Sequence, residues 1–186
     1  ETVKSQARWI EYINFQTDRM SNLVDDMLAL ARIDYIETRP LFSRFDLSKT
    51  LTSTILSFEA VLFENSITLE TQIQPDVFLN GDSEGIEKVI NILMDNAIKN
   101  TPTQGSITVR LTSDKNKVKI MINNTGPGIP AEHLEKIFER FYRADTSRAR
   151  ENGGYGLGLA IAKSIVEQHR GKIYARSNPE VNTSFI

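Results

Sequence analysis

Between residues 153 and 158 four of six positions are glycine (Gly153, Gly154, Gly156 and Gly158), and they open directly onto an apolar run of helical period that reaches His169. Glycines let backbone N–H groups come close to an anion, and a helix that follows them points its positive end at it. A chain with such a stretch has to build a loop and a helix start around a bound group, with walls supplied from elsewhere. Taken alone, residues 153 to 170 read as a site for phosphate oxygens, which needs partners for a base, a metal and a terminal phosphate.

With 186 residues, 40% of them hydrophobic, the chain can bury one good core and carry a short extra element. A formal net charge of −2, with both signs mixed along the sequence, provides no basic field, so nucleic acid is not an expected partner. The absence of cysteine excludes disulfides and thiolate metal sites and fits a reducing compartment. No apolar run reaches the roughly 20 residues of a bilayer span and no signal-peptide pattern is present, so the chain reads as soluble, or as a soluble piece of a membrane protein.

Residues 1 to 34 predict one long helix, in which Ile13, Met20, Leu23, Val24, Met27, Leu30 and Ala31 form a seam that needs a partner. Arg39-Pro40 breaks it, giving a boundary between residues 35 and 45. Asp46 is a candidate N-cap for a helical window through Leu51, Ile55, Phe58 and Leu62. Alternation at Ile67, Leu69, Thr71 and Ile73 predicts a strand, and residues 77 to 79 predict another before the turn Asn80-Gly81-Asp82. A helix follows from about Ser83 to Lys99, closed by Thr101-Pro102. Ile107, Val109 and Leu111, then Val118, Ile120 and Ile122, alternate around a polar turn as a hairpin does. Short helical pieces at 131 to 141, the glycine-opened helix, and strands at 172 to 177 and 183 to 186 complete an α+β chain with helices layered on one face of a sheet.

Four segments carry candidate chemistry. In LMDNAIKNTP (residues 93 to 102), Asn96 and Lys99 lie one helical turn apart, so an amide oxygen and an ammonium can face one site; a polar helix end is the plain alternative. In Asn123-Asn124-Thr125-Gly126-Pro127-Gly128-Ile129-Pro130, glycines flank a proline in a tight turn, and Asn124 brings both a donor and an acceptor; the alternative is an ordinary strand-to-helix turn. The aromatic clasp IFERFYRAD (137 to 145) followed by a polar stretch to Asn152 reads as a lid over phosphates, or as an anchored surface loop. The glycine stretch is the fourth segment.

In this order the four segments resemble the histidine protein kinase family, specifically its catalytic and ATP-binding domain of the GHKL fold. DNAIKNTP looks like the family's N box, NTGPGIP its first glycine box, IFERFYRAD its F box and GGYGLGLA its second glycine box. RMSNLVDDMLALARID (19 to 34) looks like the second helix of the dimerisation and histidine-phosphotransfer domain, so the resemblance covers nearly the whole chain. It implies a two-layer α/β sandwich, a mixed sheet covered by three helices on one face, preceded by a long helix. Residues 1 to 38 would be the partial phosphotransfer domain and 42 to 186 the catalytic domain.

The resemblance also assigns roles. Asn96 matches the asparagine that coordinates Mg2+, a hard cation suited to amide and phosphate oxygens, and Lys99 the basic residue near the phosphates. Asn124 stands at the usual aspartate position that accepts from the adenine amino group, with Gly126 and Gly128 letting the base lie close to backbone. Arg143 matches the arginine that reaches the γ-phosphate. Gly154, Gly156 and Gly158 match the lid hinge and helix start, Thr183 the threonine beneath adenine, and Ile129, Tyr142 and Leu157 belong to nucleotide-binding segments. ATP with Mg2+, a phosphoacceptor histidine, a response regulator and a homodimer in an intact, membrane-anchored bacterial sensor follow as expectations.

Four departures qualify the match. Ile92 replaces a frequent second asparagine, Asn100 replaces an aromatic that would stack on the base, and Asn124 trades a charged acceptor for a neutral one. The last exchange is expected to cost around 1 kcal/mol in binding, several-fold in affinity. The family's phosphoacceptor histidine lies upstream of everything here, because His133 follows the glycine turn and His169 ends the last helix, both read as surface or helix-terminal. Two rivals remain: a degenerate module that binds nucleotide or a partner without transferring phosphate, and a GHKL ATPase clamp, which would lack the F box and the preceding helix.

Overall fold

A computed structural model describes residues 2–34, 41–114, 117–144 and 155–186. The predicted long helix is α1 (Thr2–Asp34). Its seam does not act as one surface: Leu30 is buried in the core and Leu23 and Ala29 pack against it, whereas Ile13, Met20, Val24 and Met27 stay exposed. The two sets lie on different sides of the rod, so α1 has one stripe docked and one free.

Asp46 does cap a helix. Its carboxylate accepts from the Lys49 backbone N–H at 3.0 Å and opens α2 (Leu47–Leu56), which buries Leu47, Leu51 and Ile55. The helical window predicted through Leu62 breaks at residues 57–58, and α3 (Glu59–Glu64) restarts it. Serine and threonine hydroxyls explain the break: Thr54 bonds back to the Thr50 carbonyl and Ser57 to that of Thr54, competing with the helical ladder. A four-residue strand before the cap, β1 (Ser43–Asp46), is too short to show alternation and was not expected; it pairs antiparallel with β3 (Phe78–Gly81).

The main sheet contains β2 (Thr68–Ile73), β4 (Ser106–Asp114), β5 (Lys117–Thr125), β6 (Ala175–Asn178) and β7 (Asn182–Phe185), in the order β2-β4-β5-β7-β6. β2 and β4 are parallel and every other pair is antiparallel, which makes the sheet mixed. Between β3 and β4 runs α4 (Ser83–Asn100), and α5 (Gly158–Gln168) precedes β6. The segment from 131 to 141 contains only single-turn 3-10 helices, Ala131–His133 and Lys136–Phe138.

Alternation along β4, β5 and β7 sends Ile107, Val109, Leu111, Ile122 and Phe185 to the face covered by α2, α4 and α5. Ile90, Leu93 and Met94 of α4 and Ile161 and Ala162 of α5 meet them there, each large side chain contributing about 1.5–3 kcal/mol by leaving water. Arg110 on the opposite face is exposed. His169 joins the far ends of the two central helices: its Nε2 accepts from the Asp82 N–H at 2.9 Å, its Nδ1 lies 2.8 Å from the Ile165 carbonyl, and its ring stacks on Phe42. Only an imidazole protonated at Nδ1 alone satisfies both contacts, so His169 is a neutral structural clasp.

Candidate nucleotide site

The registers explain where the polar end of the sheet sits. Asn124 is two residues beyond Ile122 on β5 and so shares the helix-facing side, and it pairs across the sheet with Thr183 of β7. Both are almost fully buried, at 2% and 5% exposure. The Asn124 amide donates to the Thr125 carbonyl at 3.1 Å, which directs Oδ1 away as an acceptor. These two side chains form the floor of a cleft of ≈ 1020 Å³ between the sheet end, α4 and the start of α5.

One wall is α4. Asn96 and Lys99 both face the cleft, as do Lys88 and Asn91 at helical spacing. The Asn100 side chain donates to the Asn96 carbonyl at 2.8 Å and lies 3.4 Å from Asn96 Oδ1, so this residue steadies Asn96 instead of offering a stacking face. Lys99 holds Asp95 at 2.5 Å. One of its three N–H donors goes to that carboxylate, so a phosphate meets an ammonium whose charge is already partly matched.

The opposite wall is the turn after β5. Gly128 and Ile129 line it, and Gly128 has φ +75, where a Cβ would stand 2.8 Å from Pro179 Cα. Gly126 is behind this wall, its N–H donated to the Val181 carbonyl. Tyr142, Arg143 and His133 line the same side, and the Tyr142 hydroxyl and His133 Nδ1 are 2.5 Å apart. His133, read from sequence as a surface residue, is therefore part of the cleft wall. Gly156, at φ +73, also lines the cleft, and its carbonyl accepts from the Phe141 N–H at 2.9 Å, tying the aromatic segment to the entry of α5.

Gly158 begins α5 at the cleft, with first-turn N–H groups that have no partner within the helix on the side where phosphates were expected. Leu157 is fully buried and serves the core, not the cleft surface. Gly154 and the polar stretch to Asn152, including the predicted lid and hinge, lie outside the described residues. The cleft residues Asn96, Lys99, Asn124, Gly128, Ile129, Tyr142, Arg143, Gly156, Gly158 and Thr183 are nevertheless brought together from five separate parts of the chain.

An unforeseen contribution comes from α1. Asn22, Asp25 and Asp26 face the cleft from above, and Arg19 lies over the Tyr155 ring at 5.3 Å. Burial pushes the Asp26 carboxyl above its ordinary value, reinforced by Asp25 and opposed by Lys88 and Lys99. Lys88 and Asn91 were legible from the 3.6 period that placed Asn96, whereas no local signal marks which face of α1 would turn to the cleft.

A polar cleft at the end of a mixed sheet, floored by a buried asparagine and threonine and flanked by two helices, defines an ATP-binding domain of the GHKL type. The chain belongs to the family described as histidine kinase-, DNA gyrase B-, and HSP90-like ATPase, whose model matches residues 81–186. It is 33% identical over 168 residues to the sensor protein DltS of Streptococcus agalactiae, covering 90% of this chain and 42% of the relative. It is 38% identical over 172 residues to the probable sensor kinase SilS of Salmonella typhimurium, covering 91% and 34%. The chain therefore spans less than half the length of these relatives. Among solved structures, the catalytic domain of the histidine kinase ThkA superposes with a TM-score of 0.68 at 30% identity, covering 77% of this chain and 93% of that one. ThkA in complex with the response regulator protein TrrA gives 0.73 at 29% identity, covering 94% and 49%.

Proposed function

We propose that the chain is the catalytic region of a sensor histidine kinase, which uses Mg-ATP to phosphorylate a histidine for relay to a response-regulator aspartate. Residues 1–38 belong, in this reading, to the dimerisation and phosphotransfer bundle, and 42–186 bind the nucleotide. The observation that carries it is the convergence in one cleft of Asn96, the Asn124–Thr183 floor, Arg143 and the glycine-opened start of α5.

The base lies over the floor, where Asn124 Oδ1 accepts from the adenine amino group, and the phosphates extend toward Gly158, whose N–H groups and helix dipole favour negative charge. Asn96 suits a magnesium ion, because among the described residues Oδ1 carries only the long 3.4 Å contact from Asn100 and keeps lone pairs for a hard cation. When bound, that ion neutralises phosphate charge. Arg143 and Lys99 add positive charge on the γ-phosphate. In the transfer an imidazole nitrogen bonds the γ-phosphorus, the bond to the β–γ bridging oxygen breaks, and ADP leaves. The domain's work is alignment and charge compensation. The exposed stripe of α1 supports a helical bundle formed with a second copy, and placement on the cytoplasmic side of a membrane-anchored sensor rests on the relatives alone; no helix among the described residues is long and apolar enough to cross a membrane.

Isothermal titration with a non-hydrolysable ATP analogue and Mg2+ tests the reading: binding is expected, and Asn96→Ala is expected to weaken it at least about tenfold with Mg2+ and little with EDTA. No binding, or an Asn96→Ala effect independent of Mg2+, refutes it. Supplying a histidine-bearing phosphotransfer helix in trans separates a kinase, which labels that histidine, from a module that binds ATP and leaves it unlabelled.

A further inference from the structure

One row of residues crosses the sheet at the cleft floor. Asn124 of β5 pairs with Thr183 of β7, and Thr183 pairs with Ser177 of β6, so the three side chains share one face. Ser177 does not line the cleft, yet its hydroxyl is the centre of a hydrogen-bond group. It lies 2.8 Å from the Ile129 nitrogen, 2.9 Å from the Asn182 carbonyl oxygen and 3.0 Å from Thr183 Oγ1.

The proton count fixes the directions. A backbone N–H can only donate, so Ile129 donates to Ser177; a carbonyl can only accept, so the single Ser177 O–H goes to Asn182. Thr183 is then left to donate its own proton to Ser177. Its oxygen faces the cleft as an acceptor only. Asn124, whose amide nitrogen gives a hydrogen to the Thr125 carbonyl, presents Oδ1 as an acceptor as well.

We propose that Ser177 is a positioning residue for nucleotide selectivity: by holding the Thr183 hydroxyl proton it makes the cleft floor acceptor-only, and so selects a base carrying an amino group over one carrying a carbonyl at that position. This rests on the nucleotide reading above and deepens it. A 6-amino purine satisfies the floor, whereas a 6-oxo purine sets its carbonyl oxygen against the Thr183 and Asn124 oxygens, with the Thr183 proton held by Ser177. Sites that pair buried polar groups discriminate more strongly than apolar pockets do. Ser177 also holds the Ile129 N–H, which keeps the glycine turn at its distance from the floor.

ADP and IDP differ at position 6 and, with it, at N1, which accepts in ADP and carries a hydrogen in IDP, and neither needs protection from hydrolysis. Titrations of each, with Mg2+, into the wild-type chain are expected to favour ADP at least about tenfold. In Ser177→Ala the Thr183 hydroxyl is released to accept from a 6-amino group or to donate to a 6-carbonyl, and the ADP-to-IDP ratio is expected to fall at least about fivefold, beyond any common loss in affinity. Ser177→Cys, which keeps the size but is a poor acceptor, is expected to do the same and serves if the alanine variant does not fold. A ratio within about twofold of wild type in the folded variant, with both ligands weakened equally, overturns the proposal and leaves Ser177 a structural residue. Failure of the wild type to bind either nucleotide refutes the nucleotide reading itself, a distinct outcome from binding without selectivity.

Discussion

Gly128→Ala probes the turn that walls the base side of the cleft. At φ +75 the backbone is in the left-handed region, which costs a residue with a Cβ about 1–2 kcal/mol. The added methyl also meets atoms that cannot swing aside: Pro179 Cα at 2.8 Å and the Asn178 carbonyl oxygen at 3.0 Å, both backbone of the β6–β7 turn. Displacing that turn adds a further strain of about 1–3 kcal/mol. The sum is about 2–5 kcal/mol. For a chain of this size each kcal/mol moves the melting temperature by about 2–4 °C, so a fall of roughly 4–20 °C is expected by calorimetry.

Gly158→Ala is the control. Gly158 has no positive φ, and among the described residues a Cβ there would meet only the Ile92 Cγ2 methyl at 3.3 Å, a side-chain atom able to yield. Helix propensity favours alanine by up to about 1 kcal/mol, so its stability is expected within about 1 kcal/mol of wild type. The Gly128 variant should also bind nucleotide more weakly, because moving Pro179 disturbs the Ser177–Ile129 bond. A Gly128→Ala melting temperature within 2 °C of wild type, on the scale of about 2–4 °C per kcal/mol, refutes the clash, and equal losses in both variants would show that the two glycines do not differ as their surroundings require.

Asp26→Asn removes a half-buried negative charge from the cleft and is expected to raise ADP affinity between about two- and tenfold by titration at neutral pH, with a smaller gain at high salt. Because burial raises the Asp26 carboxyl above its ordinary 3.8, the folded state binds its proton more readily; the destabilisation is full above the folded value and vanishes below 3.8, so the variant should gain stability near neutrality and match wild type in acid. Asp46 has the opposite sign: the Lys49 backbone N–H holds its carboxyl below 3.8, giving stability present above that value and lost as pH falls through the lower folded value. Asp46→Ala should therefore lower the melting temperature at pH 7 and by less in strong acid, a difference that a pH series of thermal melts will expose or deny.

What was legible in the sequence is what local periodicity carries. The hairpin β4–β5, the cap at Asp46 and the span of α4 follow from two-residue and 3.6-residue patterns and from a carboxylate that accepts a backbone N–H. The break at residues 57–58 was hidden because hydroxyls at Thr54 and Ser57 act on the backbone without altering the apolar spacing. β1 was hidden because its pairing partner, β3, lies more than thirty residues away and four residues cannot display alternation. In the cleft, the motifs indicated residues that face a ligand, but not those that hold them. Asn100 on Asn96 and Ser177 on Thr183 are visible only once helix and sheet registers are known, since each acts through a neighbour's hydrogen bond.

The cleft is internally compensated before any nucleotide arrives. Lys99 is paired with Asp95, and Asp25 and Asp26 of α1 share the cleft with Lys88 and Lys99, so both lysines have carboxylates within the protein's own reach. An incoming polyphosphate competes with these carboxylates for the lysines instead of filling an unmatched positive site. The net electrostatic gain is then the difference between two pairings, smaller than the number of cations implies. This competition also links binding to the docking of α1: phosphates and the α1 carboxylates compete for the same lysines, so nucleotide that binds the cleft better without them favours release of α1, and by reciprocity α1 docked on the cleft weakens nucleotide. The half of α1 that stays exposed through Met20, Val24 and Met27 then matters to the same equilibrium, because whatever covers that stripe adds its own free energy to holding α1 on or off the cleft.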